Sequence, residues 1–312
     1  MNSNVTLLSY TVPIMGAAAR GWLSQDQCGK VLAAVSRATY LLTGAGELIW
    51  LITPESPLHR RCVQLPAPLP PQSVDSAFTI RGRSINLESG MKLDFRASHT
   101  WEVPVLPVSS GIELDVLPFR FIIVVESFLA RETPVGIDLF LRPVVQIAKK
   151  QIPMTGFLPD DLLTRKTWLI VERIVRDCLA HDLPGIVNHA EELIGLGEGL
   201  TPSGDDFLGG LFFARVLLSR TYPQLHYLEF NNLSKWIDAF QSRTNPISFA
   251  LLKDNITGHT LEPLNRFGIA LLANQPVDYA TSAASDLIKV GQSTGWSLLT
   301  GFLVGMLLAY PA

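Results

Sequence analysis

No stretch constrains this chain more than residues 195–210, GLGEGLTPSGDDFLGG. Glycines alternate at Gly195, Gly197 and Gly199. Thr201-Pro202-Ser203-Gly204 follows, then adjacent carboxylates at Asp205 and Asp206, then an apolar run from Phe207 to Leu218. Alternating glycines open backbone conformations closed to other residues, so the loop is expected to bend sharply. Ser203 is the expected N-cap of a buried helix. Asp205 and Asp206 then fall in its first turn, where carboxylates complement the positive end of the helix dipole. Such a loop can also aim several backbone N–H groups into one concavity, which suits an anion such as phosphate. A tight corner between two helices, with the aspartates serving only as first-turn charges, leaves the same signature. The stretch is not a Walker loop, because no Gly-Lys-Ser/Thr follows. It is not a dinucleotide fingerprint either, because no strand pattern precedes it.

A chain of 312 residues can bury a large core, and two domains are expected. The division is placed at 1–155, β-rich with N-terminal helices, and 156–312, α-helical and carrying the glycine loop. Hydrophobic residues make up 47% and charged ones 17%, with mean hydropathy +0.26, so extensive buried helix surface, subunit interfaces or both are expected. Lys and Arg number 25 against 28 Asp and Glu, a net charge of -3, which leaves no basic field for nucleic acid and no polybasic patch for a membrane. Cys28, Cys62 and Cys178 lie far apart without metal-ligand spacing. They read as reduced core thiols of a cytoplasmic protein. The first residues lack a basic run before their apolar ones, so no signal peptide is expected. Residues 295–310, GWSLLTGFLVGMLLAY, fall short of the roughly 20 apolar residues a membrane span needs and read as a buried core helix.

The fold class expected is α+β. In the first half, residues 38–52 carry two apolar runs around Gly44-Ala45-Gly46, a hairpin signal. LPAPLPP at 65–71 is too rich in proline for a helix or central strand. Short strands are predicted at 78–80, 84–87, 92–95 and 119–125, giving a small barrel or sandwich, with helices inside 16–36 packed against it. From about Leu158 the period becomes helical. Helices are predicted at 160–181, 184–194, 203–219 and 233–242, then from Asn245-Pro246 through Leu252, and at 262–273, 277–290 and 294–309.

Residues 203–210, SGDDFLGG, align with residues 294–301, TGWSLLTG. Each segment has a hydroxyl, a glycine, two apolar residues and a second glycine at matching offsets. Each opens an apolar helix with a small residue further along, Ala214 in one and Gly305 in the other. Small residues at this spacing let helices approach closely. The two helices are therefore expected to cross in the core with their N-termini side by side, so that two positive dipole ends face one pocket.

GLGEGLTPSGDDFLGG resembles the signature G-x-G-x-G-L-T-P-S-G-D-D of the bacterial DUF2877 family. Further along, Thr244-Asn245-Pro246-Ile247-Ser248, Glu262-Pro263-Leu264 and Gly291-Gln292-Ser293-Thr294-Gly295-Trp296 resemble its later landmarks. ASHTWEVP at 97–104 resembles a weaker one. The family's closing motif often carries an acid where this chain has Ser297. Some members belong to the oxamate carbamoyltransferase of anaerobic allantoin breakdown, a branch of purine catabolism. That multi-subunit enzyme converts oxalurate and phosphate to oxamate and carbamoyl phosphate. The resemblance thus implies a carbamoyltransferase subunit that works beside unlike protein subunits, with a homo-oligomer also allowed. It also implies a small anionic substrate: phosphate, carbamoyl phosphate, oxamate or an oxalurate-like molecule. A non-catalytic scaffold subunit that binds a small anion or nucleotide is the alternative.

Carbamoyl transfer needs an anion cradle, donors that polarise the carbamoyl oxygen, and orientation of two charged reactants. It needs no obligatory covalent nucleophile. Candidates for the cradle are the backbone of Gly197, Gly199, Gly204 and Gly295 and the hydroxyls of Thr201, Ser203, Thr244, Ser248, Ser293 and Thr294. Asp205 and Asp206 are the catalytic candidates. They can bind Mg²⁺ bridging to the anion, accept from substrate N–H groups, or merely cap the helix. No cofactor beyond that Mg²⁺ is implied. Arg243 and Arg266 are candidates for a positive side chain near the anions, and each also reads as a solvated helix-end arginine. No two histidines stand at metal spacing, and no Gly-x-Ser-x-Gly elbow occurs.

Overall fold

The computed structural model describes residues 9–106, 111–132, 140–149, 162–225, 228 and 232–310. The chain divides into two compact units, Met1–Val103 and Pro104–Ala312.

The first unit is built on strands β1 (Ser9–Thr11), β2 (Ile14–Gly16), β3 (Gln27–Val35), β4 (Ala38–Thr43), β5 (Leu48–Ile52), β6 (Cys62–Gln64), β7 (Ala77–Arg81), β8 (Ser84–Leu87), β9 (Lys92–Asp94) and β10 (His99–Trp101). They form one sheet in the order β1-β9-β8-β7-β3-β4-β5-β6-β2-β10. β1 and β2 stand near opposite ends of that order yet are separated only by Val12 and Pro13. The sheet must therefore curl until its ends come together at that corner. There Val12 N–H donates to Asp94 O, and Pro13 O accepts from His99 N–H. β4 and β5 form the hairpin expected around Gly44-Ala45-Gly46, pairing Leu42 with Leu48 and Ala38 with Ile52. The enclosed core holds Met15, Val31, Leu41, Ile49, Leu51, Val63, Phe78, Ile85 and Leu93.

Within 16–36 only α1 (Ala17–Trp22) is helical, whereas 27–35 is β3. That segment pairs with β4 on one side and β7 on the other, and ladder bonding on both edges decides its conformation. Cys28 on β3 is exposed, while Cys62 and Cys178 are buried.

The second unit is helical: α2 (Leu117–Leu129), α3 (Leu141–Ala148), α4 (Leu162–Leu179), α5 (Leu183–Ala190), α6 (Ser203–Thr221), α7 (Leu233–Asp238), α8 (Pro246–Ile256), α9 (Glu262–Leu272), α10 (Val277–Leu287) and α11 (Thr294–Gly305), with a closing 3₁₀ turn at Met306–Ala309. The helices expected beyond 160 all appear. Asp160 and Asp161, where the first was expected to begin, lie outside the described residues. The strand expected at 119–125 is instead the middle of α2. Its β-branched residues suit a strand locally. However, Leu117, Phe121, Val124, Val125 and Phe128 are buried at helical spacing, and Pro118 pre-sets the first turn. α2 is anchored by Arg120, which donates to Leu271 O and Ala270 O at 2.8 Å each and so satisfies carbonyls at the C-terminal end of α9.

α6 is buried on every side from Gly204 through Leu218, as is α11 from Gly295 through Gly305. Helices apolar all round belong at the centre of a domain, and the others of this unit pack about this pair. Residues 295–310 are a buried core helix and turn, and no helix among the described residues is long and apolar enough to cross a membrane.

Candidate functional site

α5 delivers the chain into the glycine loop through single-turn bonds, Leu193 N–H to Ala190 O at 3.0 Å and Leu196 N–H to Leu193 O at 2.9 Å. Gly195, Gly197 and Gly199 then take φ of 76°, 123° and 89°. At the first two of these, glycine is needed for space as well as for angle. A Cβ on Gly195 would lie 2.1 Å from Arg243 O, and one on Gly197 would lie 2.6 Å from the Ser203 nitrogen. The loop closes where Gly204 N–H donates to Leu196 O at 2.8 Å.

The helix cap differs from the expected one. Pro202, at φ -52° and ψ 139°, is the N-cap, and Ser203 is the first helical residue and makes no capping bond. Proline already holds the extended entry angle, and its carbonyl accepts from Asp206 N–H at 3.1 Å. Asp205 and Asp206 lie in the first turn as expected.

The two carboxylates are not alike. Asp205, 2% exposed, is spent on the protein itself. Its Oδ1 accepts from Gly195 N–H at 2.7 Å, while its Oδ2 accepts from Ser248 Oγ at 2.6 Å and from the Thr244 hydroxyl. One side chain thereby ties the loop, the start of α6 and the start of α8 together. Asn245 caps α8 through bonds from Ile247 N–H and Ser248 N–H, which fixes the Ser248 hydroxyl against Asp205.

Asp206 is 4% exposed, and its Oδ2 is buried without a hydrogen-bond partner among the described residues. Burial pushes its pKa well above the ordinary carboxylate range. The charge of Asp205 pushes the same way, and hydrogen bonds with the Thr294 and Thr201 hydroxyls oppose without reversing it. Burial and the neighbouring carboxyl thus both favour the neutral form of Asp206.

Those two threonines carry the central geometric result. Thr201 Oγ1 lies 2.7 Å from Thr294 Oγ1, so the starts of α6 and α11 touch. Deeper in, a Cβ on Gly301 would lie 1.8 Å from Phe207 O, one on Gly210 would lie 2.0 Å from Leu298 O, and one on Gly305 would lie 2.6 Å from Leu211 O. The facing pairs 201 and 294, 207 and 301, and 211 and 305 rise together, so the helices run parallel in backbone contact. Their N-termini stand side by side, as the internal echo in the sequence suggested. Each contributes roughly half a positive charge there.

Around this point Thr201, Ser203, Ser293 and Thr294 are half-buried, and Gly197, Glu198 and Gly199 are exposed, so solvent reaches the rim while Asp206 lies beneath it. Among the described residues, the N–H groups of Gly197, Gly199, Thr201 and Ser203 donate to no backbone carbonyl. Gly204 and Gly295 do not supply free donors. Their N–H groups bond Leu196 O and Val290 O, and their role is close approach, since a Cβ on Gly295 would lie 1.9 Å from Leu287 O. Thr244 and Ser248 turn to Asp205. Arg243 is exposed, its guanidinium 5.5 Å from the Phe240 ring centre, and Arg266 bonds Asp286 at 2.6 Å, so neither is engaged by the loop. Sequence reasoning missed Asn255. It is buried with its Oδ1 unpartnered, and its amide fills the space that a Cβ on Gly209 would enter at 2.8 Å. The signal was the doubled glycine, Gly209-Gly210. Ser297 is fully buried, and its hydroxyl also has no partner among the described residues.

Residues 193–306 match the model of the family described as oxamate carbamoyltransferase subunit AllH. This segment is similar to the AllH family. It spans the glycine loop and α6 through α11, so every candidate residue named above lies within it. No solved structure matches the chain.

Proposed function

We propose that this chain is a subunit of an oxamate carbamoyltransferase and holds a small anionic substrate between the N-termini of α6 and α11. The carrying observation is the contact of Thr201 with Thr294 above the buried Asp206. It brings two positive helix N-termini and two hydroxyls together, beside loop N–H groups that donate to no backbone carbonyl among the described residues. In the phosphate-dependent reaction a phosphate oxygen bonds the carbamoyl carbon of oxalurate, the C–N bond breaks, and oxamate leaves with a proton on its nitrogen. Positioning and charge stabilisation carry such a step, and a preformed anion site supplies both. Asp205 is spent on three protein donors, and among the described residues no three acidic, His or Cys side chains stand together to hold a metal ion, so Mg²⁺ finds few ligands here. The chain's partners on this reading are unlike subunits of the same enzyme.

The test is reconstitution. The chain is mixed with the subunits encoded beside its gene, and phosphate-dependent cleavage of oxalurate is followed. Turnover should require this chain and fall at least tenfold with Thr294→Val. Turnover independent of the chain overturns the reading. Turnover that requires the chain but ignores Thr294→Val instead favours a non-catalytic scaffold.

A further inference from the structure

Resting on that reading, the side chains that shape the loop can be separated from those that meet the guest. We propose that Asp205 and Ser248 are positioning residues for the anion site. Ser248 acts through Asp205, and the pair sets the direction of the loop N–H groups from the α7–α8 corner without touching the anion.

The loop is fastened at both ends. At its far end Gly204 N–H donates to Leu196 O at 2.8 Å. At its near end Gly195 N–H donates to Asp205 Oδ1 at 2.7 Å. There a Cβ on Gly195 would lie 2.1 Å from Arg243 O and 3.8 Å from Thr244 Cα, so the loop backbone rests directly on the chain that enters α8. Between these ends the N–H groups of Gly197, Gly199, Thr201 and Ser203 donate to no backbone carbonyl among the described residues. The end contacts, with that of Thr201 on Thr294, therefore decide where those groups point. The near fastening is itself oriented. Asp205 Oδ2 accepts from Ser248 Oγ at 2.6 Å and from the Thr244 hydroxyl, which turns Oδ1 toward Gly195. Ser248 is 1% exposed, and its N–H donates to Asn245 Oδ1 at 3.1 Å, so its hydroxyl is held in the first turn of α8, away from the rim that solvent reaches. A cradle of backbone donors binds more tightly the more completely it is ordered beforehand, because a loose loop must be ordered at the expense of affinity. Ser248 thus bears on a guest it does not touch.

The experiment is titration calorimetry of the full chain with inorganic phosphate, run as a double-mutant cycle. Ser248→Ala should weaken binding about threefold to tenfold, the share of one hydrogen bond, and Asp205→Ala by about tenfold or more. Because one acts through the other, the double variant should bind within about twofold of Asp205→Ala. Asp205→Asn should restore most of the affinity, since its amide oxygen still accepts from Gly195 N–H and its amide nitrogen can donate to the two hydroxyls. Melting curves establish that each variant is folded. Thr244→Val, which removes the second hydroxyl at a half-buried position, stands in for any that is not. Losses that add in the double variant would mean that Ser248 acts on the anion independently of Asp205. Unchanged phosphate affinity beside a lowered Tm would make the tie a contact of the fold alone. Either result overturns the proposal while the site stands. If wild type does not bind phosphate, the reading of the site fails and the proposal with it.

Discussion

Replacing Gly301 by alanine sets two effects of opposite sign against each other. In an unconstrained helix interior alanine is favoured over glycine by about 1 kcal/mol, so propensity alone predicts a more stable protein. Here the new Cβ would lie 1.8 Å from Phe207 O, whereas ordinary contact begins at 3.4 Å, so α6 and α11 would have to separate by about 1.6 Å. A backbone oxygen cannot rotate aside as a side-chain end can. Gly210 and Gly305 line the same seam, so the separation would be felt along the whole contact. Overpacking a tight core costs about 1–3 kcal/mol and sometimes more, and even a gap of about 0.5–1 Å forfeits a quarter to a half of a dispersion contact. The clash should win, leaving Gly301→Ala less stable by about 2 kcal/mol. In a helical unit of this size that is a fall in Tm of roughly 4–8 °C. Thermal unfolding of the full chain followed by near-ultraviolet circular dichroism reads it directly. A Tm unchanged or raised would mean that the two helices are not in backbone contact, and the paired N-termini would lose their basis.

Asp205→Ala removes three hydrogen bonds at about 1 kcal/mol or more each, partly recovered by water at the opened loop. Denaturant unfolding should show a loss of about 3 kcal/mol or more, and a loss under 1 kcal/mol would contradict the tie between the loop and α8. Folding raises the pKa of Asp206, so the native state holds its proton more tightly than the unfolded chain does. The stability this contributes is fully present below about pH 4, the ordinary carboxylate value, and is lost as pH rises toward the raised value. Wild type should therefore lose stability relative to Asp206→Asn as pH climbs from 4 to 8. Parallel pH profiles for the two proteins would show that folding leaves the Asp206 pKa unshifted. Arg120→Ala should raise amide exchange at the C-terminal end of α9, whose Leu271 and Ala270 carbonyls it satisfies, and unaltered exchange there would contradict that anchoring.

The helical unit was legible because its elements are punctuated by chemistry that acts locally. Asn245-Pro246 caps and starts α8 through bonds within three residues, and the glycines at 204 and 295 mark where the two central helices begin. The echo between residues 203–210 and 294–301 even gave the parallel arrangement, because backbone contact demands glycine on both partners. The errors fell where long-range partners decide. β3 is a strand because β4 and β7 flank it, and α2 is a helix because its buried spacing and Arg120 bind it to distant carbonyls, neither of which local propensity records. Within the site, residue types were readable but duties were not. Nothing in Asp205-Asp206 says which carboxylate faces protein donors. That division follows from the turn of the helix, which points one toward α8 and the other toward Thr294.

A crystal structure of the chain grown with inorganic phosphate tests the central claim most directly. The account predicts one tetrahedral anion at the starts of α6 and α11, within hydrogen-bond reach of Thr201 Oγ1 and Thr294 Oγ1. Phosphate bound elsewhere, with no anion at those two helix starts, would contradict it.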